Sequence, residues 1–340
     1  MLASLTTVVA EVNIEVANPW IKAHGTSVGN LLHHFSSNSA TIMGQQFSPQ
    51  LWELACRYKF FVSTMLAVSA CHLRHHTVDP TAHTIAELGQ VSTAITTLKS
   101  ALELPLHEDR ADALLCTAVM LNAVTFASVM NHSVSTSWVF SDSADRLGWL
   151  DLQLGFKRLE EATSQFRGSS LLQSILDETG GTQASAAEAD EVAKTETVPN
   201  SWRMLVGDKK MKNYHLYLEP VQVLAELRVA EPNCINSFAY FGLIKRFDDG
   251  FRDLLYEKDF RALWIVGYWL GLLDRLHIWW CSRRVERDWA AVVRFLGDKK
   301  LDQLPGDEGS MWKMLIADLS IASKWPPPPI HEFSSSEVSG

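Results

Sequence analysis

"ALLCTAVMLNAVTFASVM", Ala113–Met130, is apolar on nearly every turn, and no formally charged residue stands between Asp112 and Asp142. Its length is about that of a membrane span. Asn122, Thr125 and Ser128 interrupt it, however, and no basic flank orients it. A helix that is apolar all round is the buried central helix of a bundle, and no membrane span is expected. Upstream, Glu108, Asp109 and Asp112 set carboxylates at the positive end of that helix's dipole, and Pro105 stops the helix before it. That earlier helix is predicted to open with Asp79 as N-cap and Pro80 at its first position. In it Ile85, Leu88, Val91, Ile95, Leu98 and Leu102 repeat with a period of about 3.6. Downstream, Ala262–Leu273 is uncharged, too short to span a bilayer, and belongs in the core.

Strand signals are nearly absent. The expected fold is all-α: a single large helical bundle domain over residues 1–325, with a buried central helix and an apolar pocket. Within it Thr179–Asn200, "TGGTQASAAEADEVAKTETVPN", is too poor in apolar residues to pack and reads as a mobile surface loop. Residues 326–340 form a proline-led, extended tail, with Trp325 as the last packed residue.

Hydrophobic residues make up 47% of the 340 and charged residues 20%, which suits a globular protein with a large core. The net charge of -9 has the wrong sign for a main partner that is a phosphate backbone, so direct nucleic-acid binding is not expected. Cys56, Cys71, Cys116, Cys234 and Cys281 lie far apart among apolar neighbours, as reduced, buried thiols do. Leu2–Ala10 lacks the basic start of a secretory signal and reads as an apolar helix. The expected location is intracellular, nucleus or cytoplasm, and the sequon Asn131-His132-Ser133 is then unused.

Four motifs have plain structural readings. Gly25-Thr26-Ser27-Val28-Gly29 fits the GxSxG nucleophile pattern, but no strand precedes it, so Thr26 or Ser27 reads as an N-cap. His72 and His76 share a helix face without a third ligand, and Leu73 stands where HExxH needs Glu. They complement the negative helix end, beside His75, and His33-His34 is equally unspecific. Asp248, Asp249 and Asp253 resemble the magnesium cluster of class I terpene synthases poorly, with DDxxxD spacing and no second metal motif. Nucleotide-binding, RNP and zinc-deaminase signatures are missing, so neither cofactor nor metal is expected.

The richest constellation is aromatic: Trp264, Tyr268, Trp269, Trp279 and Trp280 fall within seventeen residues, beside Gly267 and Gly271. Such rings usually fill a core. Rings next to glycines also favour either close backbone approach or a hollow for an apolar guest, with Met65, Met120, Met130 and Met204 as adaptable surface. Phe126 and Trp138 complete the expected ligand-binding set.

The order "LLHHFSSNSATIMG", "FFVSTMLAVSACHL", "ADALLCTAVMLNAVTFAS", "WLDLQLGFKRLEE", "FRALWIVGYWLGLLDRLHIWW" and "KWPPP" resembles the regulatory region of fungal zinc-cluster transcription factors of the sterol uptake control type. The similarity runs from about Asn30 to Pro327. It implies an all-helical fold with a deep apolar ligand pocket. The family's cluster of six close cysteines is missing from this sequence, and Leu154-Gly155 stands where the family has Arg-Gly after its "WLxL" turn. The resemblance therefore implies the sensor without the reader: a regulator that binds a sterol- or terpenoid-like molecule and acts through a second transcription-factor subunit. The alternative is an enzyme of fungal secondary metabolism, a cofactor-independent cyclase or pericyclase that folds a terpenoid or polyketide by restraint. Its candidate polar groups are His277, Asp274, Arg275, Asn122 and His132.

Overall fold

The computed structural model describes residues 24–44, 48–172, 198–233 and 237–329, and among these every regular element is helical. Thirteen α-helices and five short 3-10 turns follow one another without a strand among the described residues. Leu2–Ala10, Cys234, Thr179 to residue 197 and residues 330–340 lie outside the described residues. Where one domain over residues 1–325 is expected, the chain divides into two compact units. One is Met1–Ser128 with Gly155–Ser174, the other Val129–Leu154 with Ile175–Gly340.

In the first unit, α1 (Val28–Met43) starts at Ser27, whose hydroxyl accepts from the Asn30 N–H, and ends at Gly44 in the left-handed region at φ 77°. Helix α2 (Pro49–Arg57) begins the same way, with Ser48 accepting from Leu51 and Pro49 in the first turn. Extended backbone at Tyr58 then turns the chain by 116° into α3 (Lys59–His76). Helix α3 is buried from Phe60 through Cys71 and packs against α1, α2, α4 (Thr81–Leu102) and α5 (Glu108–Ala127). Helix α5 is apolar and long enough to cross a membrane, but most of it is buried inside the protein, as a central helix should be.

Inside this unit the Arg74 guanidinium grips Glu87 through Nε to Oε2 at 2.5 Å and Nη2 to Oε1 at 3.1 Å. The same Nη2 donates to the Ala127 carbonyl at 3.1 Å, in the last turn of α5, where a cation meets the negative end of the dipole. One side chain of α3 thus ties down α4 and α5. The start of α4 is displaced by one residue from expectation. Asp79 accepts from the Thr81 N–H at 3.1 Å and Pro80 takes the cap position.

A larger difference concerns which face α4 buries. The core takes Ala86, Glu87, Gly89, Gln90, Ala94 and Ala101, whereas Leu88, Ile95 and Leu102 are 65%, 53% and 51% exposed. The large residues of α3 need a small-residue partner at close range, and Ala and Gly supply it.

In the second unit the centre is α11 (Phe260–Asp274), and Ala262 to Leu273 are buried without exception. Asp259 caps it, accepting from the N–H groups of Arg261 and Ala262 at 3.0 and 2.9 Å. Around it stand α8 (Tyr214–Val229), α9 (Ser237–Gly242), α10 (Asp249–Tyr256), α12 (Trp279–Asp298) and α13 (Asp307–Ser320). Helix α7 (Asn200–Val206) packs on α8 and α13, and α6 (Gly148–Thr163) opens in this unit and closes in the first.

The two glycines of α11 serve close approach. A Cβ on Gly267 would meet Val292 Cγ1 at 2.6 Å, and one on Gly271 would meet Ala322 Cβ at 2.6 Å. The tail packs beyond Trp325: Arg275 lies over the Trp325 ring at 5.6 Å, and Arg228 donates to the Pro328 carbonyl.

Gly271→Ala is expected to lower stability by about 1–3 kcal/mol through overpacking, despite the better helix propensity of Ala. Gly155→Ala, in α6 with no atom within 4 Å of the added Cβ, should be neutral or stabilising by up to about 1 kcal/mol. Urea midpoints of the two variants measure the contrast.

Candidate functional site

The second unit holds a line of three indoles. Trp138 sits in a 3-10 turn (Trp138–Phe140) opened by Ser137, and its ring lies 6.3 Å from Trp149 at the start of α6. Trp149 in turn stacks on Trp269 of α11 at 6.4 Å with planes 10° apart. A second group, Trp202 of α7 with Trp264 and Tyr268 of α11, has ring centres 4.7 to 5.1 Å apart. All six rings are buried.

Buried indoles need acceptors, and the protein supplies most of them. Trp269 donates to the Tyr240 carbonyl at 2.7 Å, Trp264 to the Leu315 carbonyl at 2.8 Å, and Trp202 to Asp318 Oδ2 at 2.8 Å. Trp138 differs. Its Nε1 is buried and has no hydrogen-bond partner among the described residues.

Electrostatics add a cation to the line. The Arg284 guanidinium lies 5.3 Å from the centre of the Trp149 ring. Burial pushes its pKa down to about 10, opposed by Asp288. Asp288 accepts from Arg284 at 3.4 Å and from Arg287 at 2.7 Å. One buried carboxylate thus serves two guanidiniums beside the aromatic wall.

The core of the first unit carries a different signature. Ser63 Oγ of α3, Gln90 Oε1 of α4, and Thr117 Oγ1 and Asn122 Oδ1 of α5 are buried without hydrogen-bond partners among the described residues. Met65, Met120 and Phe126, on α3 and α5, are buried in the same unit. Four unpaired oxygens in an apolar helical core each forfeit about 1–3 kcal/mol, so the core offers acceptors and hydroxyls to a bound polar group or water.

The expected site residues are therefore spread over both units. Met65, Met120, Asn122 and Phe126 belong to the first, and Met130, His132, Trp138, Trp264, Tyr268, Trp269, Asp274, Arg275, His277, Trp279 and Trp280 to the second. Met130, His132 and His277 are at the surface, while Trp279 and Trp280 are half-buried, the latter stacked on Phe241 at 4.9 Å. Arg275 is buried and donates to the Ala322 and Arg228 carbonyls at 2.7 and 2.8 Å, a fastening of the segment after α13. Asp274 is half-buried, and burial holds its carboxyl above the usual carboxylate range, with His277 opposing.

Sequence reasoning left out Trp149, Trp202, Ser63 and Thr117. For Trp149 a signal existed in its own "WLDLQLGF" turn, but only folding sets that turn beside Trp138 and Trp269.

The remaining motifs take structural roles. Ser27 is the cap of α1, and Thr26 Oγ1 bonds His83 Nδ1 at 2.7 Å. Asp248 caps α10, accepting from Phe251 at 2.8 Å, and Asp249 pairs with Arg252 at 3.5 Å. His34 Nε2 meets His72 Nδ1 at 3.0 Å, and the His72 and His76 rings lie 4.4 Å apart. Among the described residues no three His, Cys, Asp or Glu side chains converge on a metal position. Comparison with protein families, with curated proteins and with solved structures finds no match to this chain.

The hydrogen bond between His34 and His72 needs one ring to accept, so at least one of the pair is neutral. Burial, then the neighbouring His76, His34 and His75, push the His72 pKa down to about 4, against about 6.5 for a free imidazole. The unfolded chain therefore binds this proton first. Stability is undiminished above about pH 6.5 and falls as pH drops toward about 4. The urea midpoint should decrease over that window, and His72→Gln should flatten the slope. An unchanged slope in the variant would assign the acid sensitivity to other groups.

Proposed function

We propose that this protein binds an apolar, ring-containing small molecule of the sterol or terpenoid kind, bearing at least one oxygen, and that it acts on transcription through a partner subunit. The observation that carries the binding reading is the buried Trp138 N–H without an acceptor, set at the end of the Trp138, Trp149 and Trp269 line. A flat apolar ligand gains dispersion and area burial against indole faces. A hydroxyl or carbonyl oxygen on it would satisfy the Trp138 N–H, which has no acceptor among the described residues. The cation beside Trp149 favours the same electron-rich oxygen function over an ammonium group. The regulatory role rests on the resemblance to the zinc-cluster factors of the sterol uptake control type, whose six-cysteine reader this sequence lacks; the net charge of -9 supports action through a partner.

A cofactor-independent cyclase of terpenoid or polyketide metabolism is the second reading, and Asp274 favours it. A half-buried carboxyl whose pKa is raised stays protonated to higher pH and suits a proton donor. Asp274→Asn separates the two readings, since it should remove turnover of a polyene substrate without affecting ligand binding.

Quenching of tryptophan fluorescence by a sterol, a terpenoid alcohol and the matching hydrocarbon tests the binding reading. Trp138→Phe should weaken binding of the oxygenated ligands roughly fivefold, the value of about 1 kcal/mol for one hydrogen bond, and leave the hydrocarbon unaffected. No saturable quenching by any of the three would sink it. Conversion of ligand by catalytic amounts of protein would put the cyclase first.

A further inference from the structure

The exposed side of α4 bears a heptad pattern that none of the described residues covers. Leu88, Val91, Ile95, Leu98 and Leu102 follow one another at steps of three and four, the spacing of a coiled-coil seam. Leu88, Ile95 and Leu102, seven residues apart, are 65%, 53% and 51% exposed, and Val91 and Leu98 between them are half-buried. A helix normally turns such a stripe inward. Here α3 takes the small-residue face, with Ala86, Gly89, Gln90, Ala94 and Ala101, and leaves the seam outside.

The geometry points to a second copy of this chain as the occupant, with the two α4 helices packed seam to seam across a two-fold axis. Charge argues for it. Over Thr81–Leu102 the only formal charges are Glu87 and Lys99, and Glu87 is buried in its ion pair with Arg74. Lys99 is thus the single formal charge on the outer face. A chain of net charge -9 repels its own copies, and this face adds no negative charge to that repulsion. Neither a phosphate backbone nor a strongly charged protein finds a counter-charge along it. What fits is another apolar helix with the same spacing, which a second copy presents by symmetry.

The area sets the strength. A helix of 22 residues is about 33 Å long and 10 Å wide. Its apolar strip reaches the few hundred Å² that monomers seldom leave in one patch. Even with its polar flanks the strip falls short of the roughly 800 Å² per partner of a standard interface. The dimer is therefore reversible. Ile95 is the middle residue of the five and lies nearest the axis, so it faces the second copy's seam at close range.

Sedimentation velocity on the full chain over a wide concentration range tests the assignment. The unaltered protein should pass from monomer to dimer and stop there. Ile95→Glu and Ile95→Lys should each weaken association more than tenfold, because each buries like charges near the axis. Ile95 is exposed in the monomer, so circular dichroism and the urea midpoint of both variants should not change. An equimolar mixture of the two variants should recover a dimer through the opposite charges. The proposal fails if the unaltered protein stays monomeric at the highest concentrations, if assembly continues past two, if a dimer persists in the Ile95→Glu protein, or if the mixture recovers nothing. The ligand-binding reading is independent of every one of these outcomes.

Discussion

Two oxygens of Glu87 accept from the Arg74 guanidinium in the interior of the first unit, and so do the Ala127 carbonyl and Cys71 Sγ. Taking two opposite charges out of water costs several kcal/mol for each ion, and only near-ideal geometry with every donor engaged offsets that cost. The fork of Arg74 comes close to meeting the condition. Because its oxygen acceptors come from α4 and from the last turn of α5, the condition is met in one relative placement of three helices and lost if either partner slides by a turn. Such a clasp selects a register more than it adds stability. It also explains the face that α4 presents, since Glu87 must point inward and the residues on its side of the helix, Ala86, Gly89, Gln90, Ala94 and Ala101, go with it. The larger residues of the same helix are then carried to the outside.

In the second unit the organising element is α11, buried on all sides, and the device is shape. Gly267 and Gly271 remove the side chains that would hold α12 and the segment after α13 away. Close approach then brings Leu315 and Asp318 of α13 within reach of the Trp264 and Trp202 indoles. The aromatic richness of this unit is thus mainly structural: large rings supply buried area, and their N–H groups fasten one helix to the next. The turn that carries Trp138 delivers the ring to the core but brings no acceptor among the described residues to its nitrogen.

The paired histidines show a related economy. His34 and His72 satisfy each other on α1 and α3, at the cost of forbidding double protonation. Placing one near the C-terminal end of a helix would ordinarily favour its charge. Burial outweighs that here, which is why a helix-end reading of His72 captures its position and misses its state.

The amino-acid sequence by itself determined the all-helical class, the cap at Ser27, and the interior place of α5 and α11. Each of these follows from residues within a turn or two of one another: a hydroxyl ahead of an apolar run, or a run with no polar side to show to water. Of the candidate site, Trp138 and Trp269 were legible as large rings, but not as neighbours. Only the tertiary structure decided that Trp149 joins them, that the Trp138 N–H, Ser63 Oγ and Thr117 Oγ1 are buried without hydrogen-bond partners among the described residues, and which face of α4 stays outside. Those outcomes depend on groups tens of residues apart, such as Arg74 with Ala127 or Trp264 with Leu315. Local pattern specifies what a segment prefers to bury, while the packing partner, whose side chains must fit the same space, decides what it does bury.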